Sequence, residues 1–265
     1  MSGLSIQQVS KSFALAGRAV PALKDVSLSL GAGQFGALIG PSGCGKSTLL
    51  RMVADVFAPS AGRILIDGAP PQQARREHQI GFVFQEATLL PWRSVLDNVR
   101  LPLELLGQAG QAPARSPQEL VRLVGLAGYE HARPSQLSGG MQQRCAIARA
   151  LVASPKILLL DEPFGALDEV MRYRMNFELL RIRAETQTTA LMVTHSIEEA
   201  VLMADRIFVF AAGPGRIVEV VEVDLARPRR LSTMQHPDFN LTVERVRRAL
   251  FDQLPHALDQ EIAHA

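Results

Sequence analysis

The sequence predicts an α/β fold: a parallel sheet core, preceded by a small antiparallel β layer and interrupted by an inserted helical segment. Three observations predict it. Apolar strand-like runs alternate with stretches of helical periodicity along most of the 265 residues, the pattern of successive βα units. Ile157-Leu158-Leu159-Leu160 is an unbroken apolar run, as a parallel strand covered on both faces requires. Gly40-Pro41-Ser42-Gly43-Cys44-Gly45-Lys46-Ser47-Thr48 fits the phosphate-binding pattern G-x-x-x-x-G-K-S/T, with a strand pattern before it and a helical pattern after it.

In chain order, residues 4–9 alternate as a strand and Lys11-Ser12-Phe13 follow. Residues 20–30 give a second alternating segment that ends at the turn Gly31-Ala32-Gly33, so a small antiparallel sheet is expected. By spacing alone Phe13 reads as a core residue, with stacking on a base as its other use. Residues 35–39 read as a buried strand, 46–57 as a helix, 63–68 as a strand closed by a turn, and 80–84 as a short strand with Gln85 at its end.

The composition changes after Gln85. Residues 89–92 form a proline-punctuated loop, residues 94–106 carry helical spacing at Val95, Val99, Leu103 and Leu106, and residues 107–113 read as a loop. Ser116-Pro117-Gln118-Glu119 has a capping residue, a proline at the first helical position and a glutamate three after the cap, which starts a helix over 118–124. Leu137-Ser138-Gly139-Gly140 opens another helix over 141–152. Residues 86–152 are therefore expected to be a helical insertion.

Strands resume at 157–160 and end in Asp161-Glu162-Pro163. A helix over 169–184, a strand over 189–193, Thr194-His195 and a capping box at Ser196-Ile197-Glu198-Glu199 follow. Residues 207–211 and 217–223 read as strands joined by Gly213-Pro214-Gly215. Beyond residue 225 the tail is basic and expected to be peripheral, with one amphipathic helix carried by Phe239, Val243, Val246 and Leu250. The sequence has no internal repeat and no long heptad run.

Composition bounds the function. Hydrophobic residues make up 47% of the chain, ample for a sizeable core. A net charge of +2, from 28 basic and 26 acidic residues, sets up no field that demands nucleic acid or an anionic membrane. Arg227, Arg229, Arg230, Arg245, Arg247 and Arg248 form a late basic cluster, expected to be a solvated face. Cys44 and Cys145 lie far apart without C-x-x-C spacing, which suggests neither a disulfide framework nor a zinc site and fits a reducing compartment. The opening residues show no secretory leader, and no apolar run approaches the roughly 18 residues that cross a bilayer. We expect a soluble cytoplasmic chain that needs other subunits for any work across a membrane.

Open parallel sheets bind ligands at the carboxyl ends of their strands, and Gly40, Gln85, Asp161, Glu162 and His195 each follow an apolar run at once. Phosphoryl transfer asks for positioning and charge neutralisation. The loop glycines and the helix N-terminus present N–H groups to the β-phosphate, and Lys46 adds a full charge. Ser47 and Asp161 suit a Mg²⁺ shell, and Glu162 is the acceptor for the attacking water's proton. Cys44 is expected to serve packing rather than redox chemistry. His195 alone would be an ordinary strand-end histidine; its place in this sheet singles it out. Ser138-Gly139-Gly140 is a second anion site at a helix N-terminus without catalytic acids of its own. It makes sense if it serves a nucleotide held by another copy, in a two-fold dimer.

These residues resemble ATP-binding-cassette ATPases, the motor subunits of ABC transporters, over residues 4–223. The phosphate loop, Gln85, the signature Leu137-Ser138-Gly139-Gly140-Met141-Gln142-Gln143-Arg144, the acidic strand end, Gly165-Ala166-Leu167-Asp168 and His195 occur in the family's order. The resemblance implies a P-loop NTPase (RecA-like) core over residues 1–225, a C-terminal tail over 226–265, ATP with Mg²⁺, and ATP hydrolysis. It implies that Phe13 stacks on adenine, that the residues 40–48 hold the phosphates, and that Gln85 senses the metal and the transport subunit. Ser138, Gly139 and Gly140 would contact the partner copy's nucleotide, Asp168 would cross the dimer interface, and His195 would hold the γ-phosphate and the attacking water.

Leu89-Leu90-Pro91-Trp92-Arg93-Ser94-Val95, the turn Gly213-Pro214-Gly215 and the tail are similar to the bacterial importer group for nitrate, taurine, aliphatic sulfonates, bicarbonate and thiamine precursors. The implied partners are a second ATPase copy, an integral membrane permease that Trp92 would touch, and indirectly a periplasmic solute-binding protein. No nucleic acid is implied, and the place is the cytoplasmic side of the inner membrane. The competing classes are a non-transport ABC ATPase in DNA repair or translation and a small-molecule P-loop kinase. The absence of a coiled-coil insertion and of a second cassette stands against the first, and the signature against the second. Two positions depart from the family: Asp55 stands where glycine is usual after the first helix, and Gln142 replaces a commoner basic residue.

Overall fold

The structure, a computed structural model, describes residues 3–15, 18–106, 115–165 and 167–252; the expected loop over 107–113, Ala166 and the chain beyond 252 lie outside them. Strand β1 (Leu4–Leu15) pairs antiparallel with β2 (Arg18–Leu30), Leu4 opposite Leu30. After β3 (Phe35–Ile39) and α1 (Lys46–Val53), β4 (Ala61–Ile66) joins the other edge of β1, Leu4 opposite Ile66. Leu4, Ile6, Leu28, Leu30, Ile64 and Ile66 share the buried face that the alternation predicts. This three-stranded sheet is the expected antiparallel layer.

Phe13 is a correction. It lies inside β1 opposite Val20, exposed, with its ring edge-on to Phe57 at 5.5 Å and the Lys11 ammonium 5.2 Å from its centroid. The end of β1 runs past the core, so spacing that suits burial is spent on an edge. Helix α1 is also shorter than expected. Asp55 takes a left-handed φ of 59°, the conformation for which glycine is the default, and its carboxylate pairs with Arg75 at 2.7 Å. Asp tolerates this conformation better than most side chains, so the departure at Asp55 preserves the exit of the helix.

Arg75 belongs to α2 (Pro71–Arg76), a six-residue helix with proline at its first turn that periodicity over so short a stretch does not reveal. Strand β5 (Ile80–Val83) then ends just before Gln85. Three helices follow it: α3 (Val95–Leu105), α4 (Pro117–Leu123) and α5 (Gly139–Leu151). Ser94 and Ser138 cap the first and last of these, and Ser116 with Glu119 forms the expected capping box. The three pack on one another through Val95, Val99, Leu120, Val121, Cys145 and Ile147. Burial pushes the Cys145 thiol up to about 12, so it stays neutral packing material.

The chain returns through β6 (Ile157–Asp161), α6 (Glu169–Thr186), β7 (Thr189–Val193), α7 (Ile197–Met203), β8 (Arg206–Ala211) and β9 (Arg216–Glu222). The large sheet has the order β5-β6-β7-β3-β8-β9, parallel except for β9. Alternate residues of each strand serve opposite cores. Leu158, Leu160 and Met192 face the cluster shared with α5, α6 and α7, while Leu159, Leu191 and Phe208 face α1 and the antiparallel layer. That double burial is why these strands read as unbroken apolar runs.

The tail carries α8 (Pro237–Phe251), whose Phe239, Val243, Val246 and Ala249 bury against α7, β8 and β9. Arg227, Arg230, Arg245 and Arg248 are exposed as expected of a solvated face, and Arg229 is a second correction. Arg229 is buried and donates to the carbonyl oxygens of Val201, Leu202 and Ala204 at 3.2, 3.0 and 2.6 Å. Arg227 pairs with Asp205 at 2.6 Å and Arg245 with Glu219 at 2.8 Å. Burial pulls Arg229 down to about 10, still a full charge at neutral pH, and the free carbonyls at the end of α7 accept it.

Candidate active site

The sheet order sets the site. The strand β3 that feeds the phosphate loop lies beside β7, which feeds His195, and beyond β7 lie β6 with Asp161 and Glu162 and then β5 with Gln85. Lys46, Ser47 and Thr48 share a cavity of 210 Å³ with Ser42, Gly43, Gly45, Glu162 and His195. Glu162 and His195 also line a neighbouring cavity of 270 Å³ that contains Gln85. They form the wall between the two.

The Lys46 ammonium lies within the loop and donates to Gly40 O at 2.7 Å, Pro41 O at 2.8 Å and Cys44 Sγ at 3.6 Å. Cys44 is buried, as packing requires. Gly45 has φ +94°, and a Cβ there would lie 2.9 Å from Ala22 O. The loop is thus pressed between β2 and a second turn far along the chain. Gly215 bonds in both directions with β2, its N–H to Ala22 O at 2.9 Å and its carbonyl from Lys24 N at 3.0 Å. A side chain at Gly215 would collide with Cys44 O, 1.7 Å from its first atom.

Ser47 Oγ donates to Asp161 Oδ1 at 2.7 Å. The Ser47 hydroxyl and the Asp161 carboxylate are oxygen donors of the hard kind that Mg²⁺ prefers, and Mg²⁺ takes few protein ligands beside phosphate oxygens. These residues fit the ion. His195 Nε2 approaches Glu162 Oε1 at 2.5 Å. Glu162 itself has a left-handed φ of 47°, an uncommon conformation held by its N–H to Val193 O at 3.0 Å and its carbonyl from Gly165 N at 3.2 Å.

Phe13, Ser138, Gly139, Gly140 and Asp168 line neither cavity. Ser138 caps α5, its Oγ accepting from Met141 N at 3.3 Å, and both Ser138 and Gly139 are exposed while Gly140 is buried near Met171. Asp168 caps α6 in the same way, accepting from Met171 N at 2.9 Å. Gln142 donates to Pro134 O at 3.0 Å and Leu137 O at 3.3 Å, bracing the turn that leads into the signature.

The profile described as ABC transporter matches residues 23–165. The chain belongs to the ABC transporter family. A taurine import ATP-binding protein of Pseudomonas fluorescens is 41% identical over 266 residues, covering 98% of this chain and 99% of that one. An uncharacterized ABC transporter ATP-binding protein of Methanocaldococcus jannaschii is 43% identical over 236 residues, 89% of this chain and 88% of that one. Among solved structures, an ATP-binding cassette dimer in a post-hydrolysis state bound to ADP and Pi matches with a TM-score of 0.71 at 32% identity, covering 83% of this chain and 98% of that one. This ABC cassette is an ATPase of the P-loop class.

Sequence reading missed several residues of the cassette. Asn98 is buried and holds the loop over 89–94, accepting from Leu90 N at 2.8 Å and donating to the carbonyls of Leu90 and Ser94 at 3.1 and 3.0 Å. Gln143 donates to Phe84 O at 3.0 Å, and Arg149 donates to Ala87 O and Thr88 O, both at 2.9 Å. The capping box expected at Ser196 is half formed. Ser196 Oγ accepts from Glu199 N at 3.2 Å, but the Glu199 carboxylate turns inward to the Thr194 hydroxyl instead of to Ser196 N.

Proposed function

We propose that this chain is the ATP-hydrolysing subunit of a bacterial importer, working as a homodimer on a separate membrane permease that receives its cargo from a periplasmic solute-binding protein. The reading places the chain at the cytoplasmic side of the inner membrane; no helix among the described residues is long and apolar enough to cross one. The cargo is a small solute of the taurine, sulfonate, nitrate, bicarbonate or thiamine-precursor group, the class to which the taurine importer of Pseudomonas fluorescens belongs by name. Residues 1–225 form the cassette, with residues 86–152 as its helical part, and 226–265 a C-terminal extension.

One observation carries the catalytic reading: the phosphate loop, Glu162 and His195 line one cavity. Lys46 and the loop N–H groups hold the phosphates of ATP. Ser47, Asp161 and Gln85 would hold Mg²⁺, which would neutralise phosphate charge. Glu162 accepts the proton of the attacking water and His195 turns its Nε2–H to the γ-phosphate. Phe13, on its exposed edge, stacks on the adenine. The end of α5, exposed at Ser138 and Gly139 with Gly140 just behind them, meets the partner copy's nucleotide, with Asp168 at the same interface. Trp92, 68% exposed on the loop that Asn98 holds, offers the permease an apolar contact.

Glu162→Gln tests both halves of the reading. Hydrolysis should fall by roughly 10²- to 10⁴-fold, the worth of a placed base, while Mg-ATP binding persists. Equilibrium sedimentation of that variant in saturating Mg-ATP should show a dimer; a strict monomer overturns the dimeric reading.

A further inference from the structure

His195 is exposed to solvent over 46% of its side chain, and the polar partner of its ring among the described residues is Glu162. Something must hold the backbone that aims it. Thr194 and Ser196, its two neighbours, are both tied down from behind. Thr194 N donates to Leu38 O at 3.2 Å, which fastens the turn to β3, the strand of the phosphate loop. The Thr194 hydroxyl accepts from Ser196 N at 3.1 Å and donates to Glu199 Oε2, so its donor and one of its acceptor positions are both used around His195.

Glu199 is an expensive way to cap a short helix. It is 4% exposed, its Oε1 has no hydrogen-bond partner, and burial pushes its carboxyl up from the usual range. Asn176, fully buried on α6, approaches the carboxylate without closing a hydrogen bond. An outward-facing glutamate could have satisfied Ser196 N at no such cost. The inward choice places Glu199 on the wall of the 270 Å³ cavity with Gln85, Glu162 and His195. Its carboxylate closes a chain of bonds from α7 through Thr194 to the N–H that follows His195.

Resting on the role given to His195 above, we propose that Thr194 and Glu199 are positioning residues for hydrolysis: their buried clasp fixes where the His195 imidazole stands against Glu162. The clasp acts through the backbone on either side of the histidine. Neither residue lines the 210 Å³ cavity of the phosphate loop, so the clasp governs turnover rather than ATP binding.

The test compares Thr194→Val, which keeps the shape and removes both bonds, with Thr194→Ser, which keeps the hydroxyl, each in the native chain and in a His195→Ala background. Thermal melting first establishes that each variant is folded. Thr194→Val should lower kcat by about tenfold or more, within the range a misplacement of about 1 Å produces, with KM and the Kd for a fluorescent ATP analogue changed little. Thr194→Ser should restore most of the turnover, and Glu199→Gln, which keeps an acceptor for the hydroxyl, should lose far less than Glu199→Leu. With His195 already replaced by alanine, Thr194→Val should cost nothing further. An undiminished loss in that background overturns the clasp while leaving the role of His195 intact. Native turnover in His195→Ala overturns the role of His195, and the clasp with it.

Discussion

The two anion-facing ends of this cassette are built differently. The phosphate loop is enclosed: Lys46 is buried, Gly45 is pressed against Ala22, Gly215 against Cys44, and Asp161, Glu162 and His195 arrive from two neighbouring strands. The end of α5 is bare. Ser138 and Gly139 are exposed, and Ser138 accepts from Met141 N and Gln142 N of its own helix. A sheet edge gathers chemistry from distant parts of one chain, whereas a helix end offers only free N–H groups and a dipole. The first can bind a triphosphate unaided; the second has work to do only when something is brought to it.

The sharpest way to break that contrast is to damage each end separately. Lys46→Ala should weaken ATP binding by roughly 10- to 10²-fold, the worth of one to two charge-assisted hydrogen bonds, and remove turnover. Ser138→Arg should leave the ATP affinity of the isolated chain within about twofold, since the groups are independent, yet abolish both turnover and the ATP-dependent dimer. Titration with a fluorescent nucleotide and sedimentation read the two separately. Loss of ATP affinity in the Ser138 variant would erase the distinction.

A smaller effect sharpens the account of how the enclosed end is held. Gly215→Ala must move the turn or Cys44, and overpacking of this kind costs about 1–3 kcal/mol, so ATP affinity should drop by about tenfold although residue 215 touches no nucleotide. Gly213→Ala, two residues away with nothing within 4 Å of its Cβ, should leave affinity unchanged and cost only about 1 kcal/mol of stability for its φ of +36°. The smallest effect lies furthest from the chemistry. Asp55→Val should lower stability in urea unfolding by about 1–2 kcal/mol because a β-branched residue resists φ 59°, while Asp55→Gly should stay within about 0.5 kcal/mol of the native chain.

The same contrast explains what was legible in the sequence. The phosphate loop, Asp161-Glu162 and the strands around them are contiguous patterns, and four strand ends meeting on one sheet follow from βα alternation. Gly215 looks like an ordinary turn glycine until the fold brings Cys44 against it, from a position 171 residues earlier. Asn98 reads as a polar residue on a helix, and only the return of the loop over 89–94 shows why it is buried. Glu199 obeys a capping pattern that its side chain then abandons, because Thr194 competes for the carboxylate from a turn that no local rule describes. Arg229 belongs to a run that solvates itself in most chains, and its burial depends on the orphan carbonyls at the end of α7. Patterns reveal what a segment does for itself; contacts across the chain decide the rest.

Helix α5 joins two of these regions mechanically. Its first turn bears Gly140, and about 14 Å further along its axis Arg149 grips the backbone of Ala87 and Thr88, with Gln143 gripping Phe84 between them. An α-helix of this length is stiff, and its fastenings run to backbone carbonyls rather than to mobile side-chain tips. An axial shift of its first turn would therefore be delivered at its far end: α5 couples the turn at Ser138 to the backbone that leads into the loop presenting Trp92.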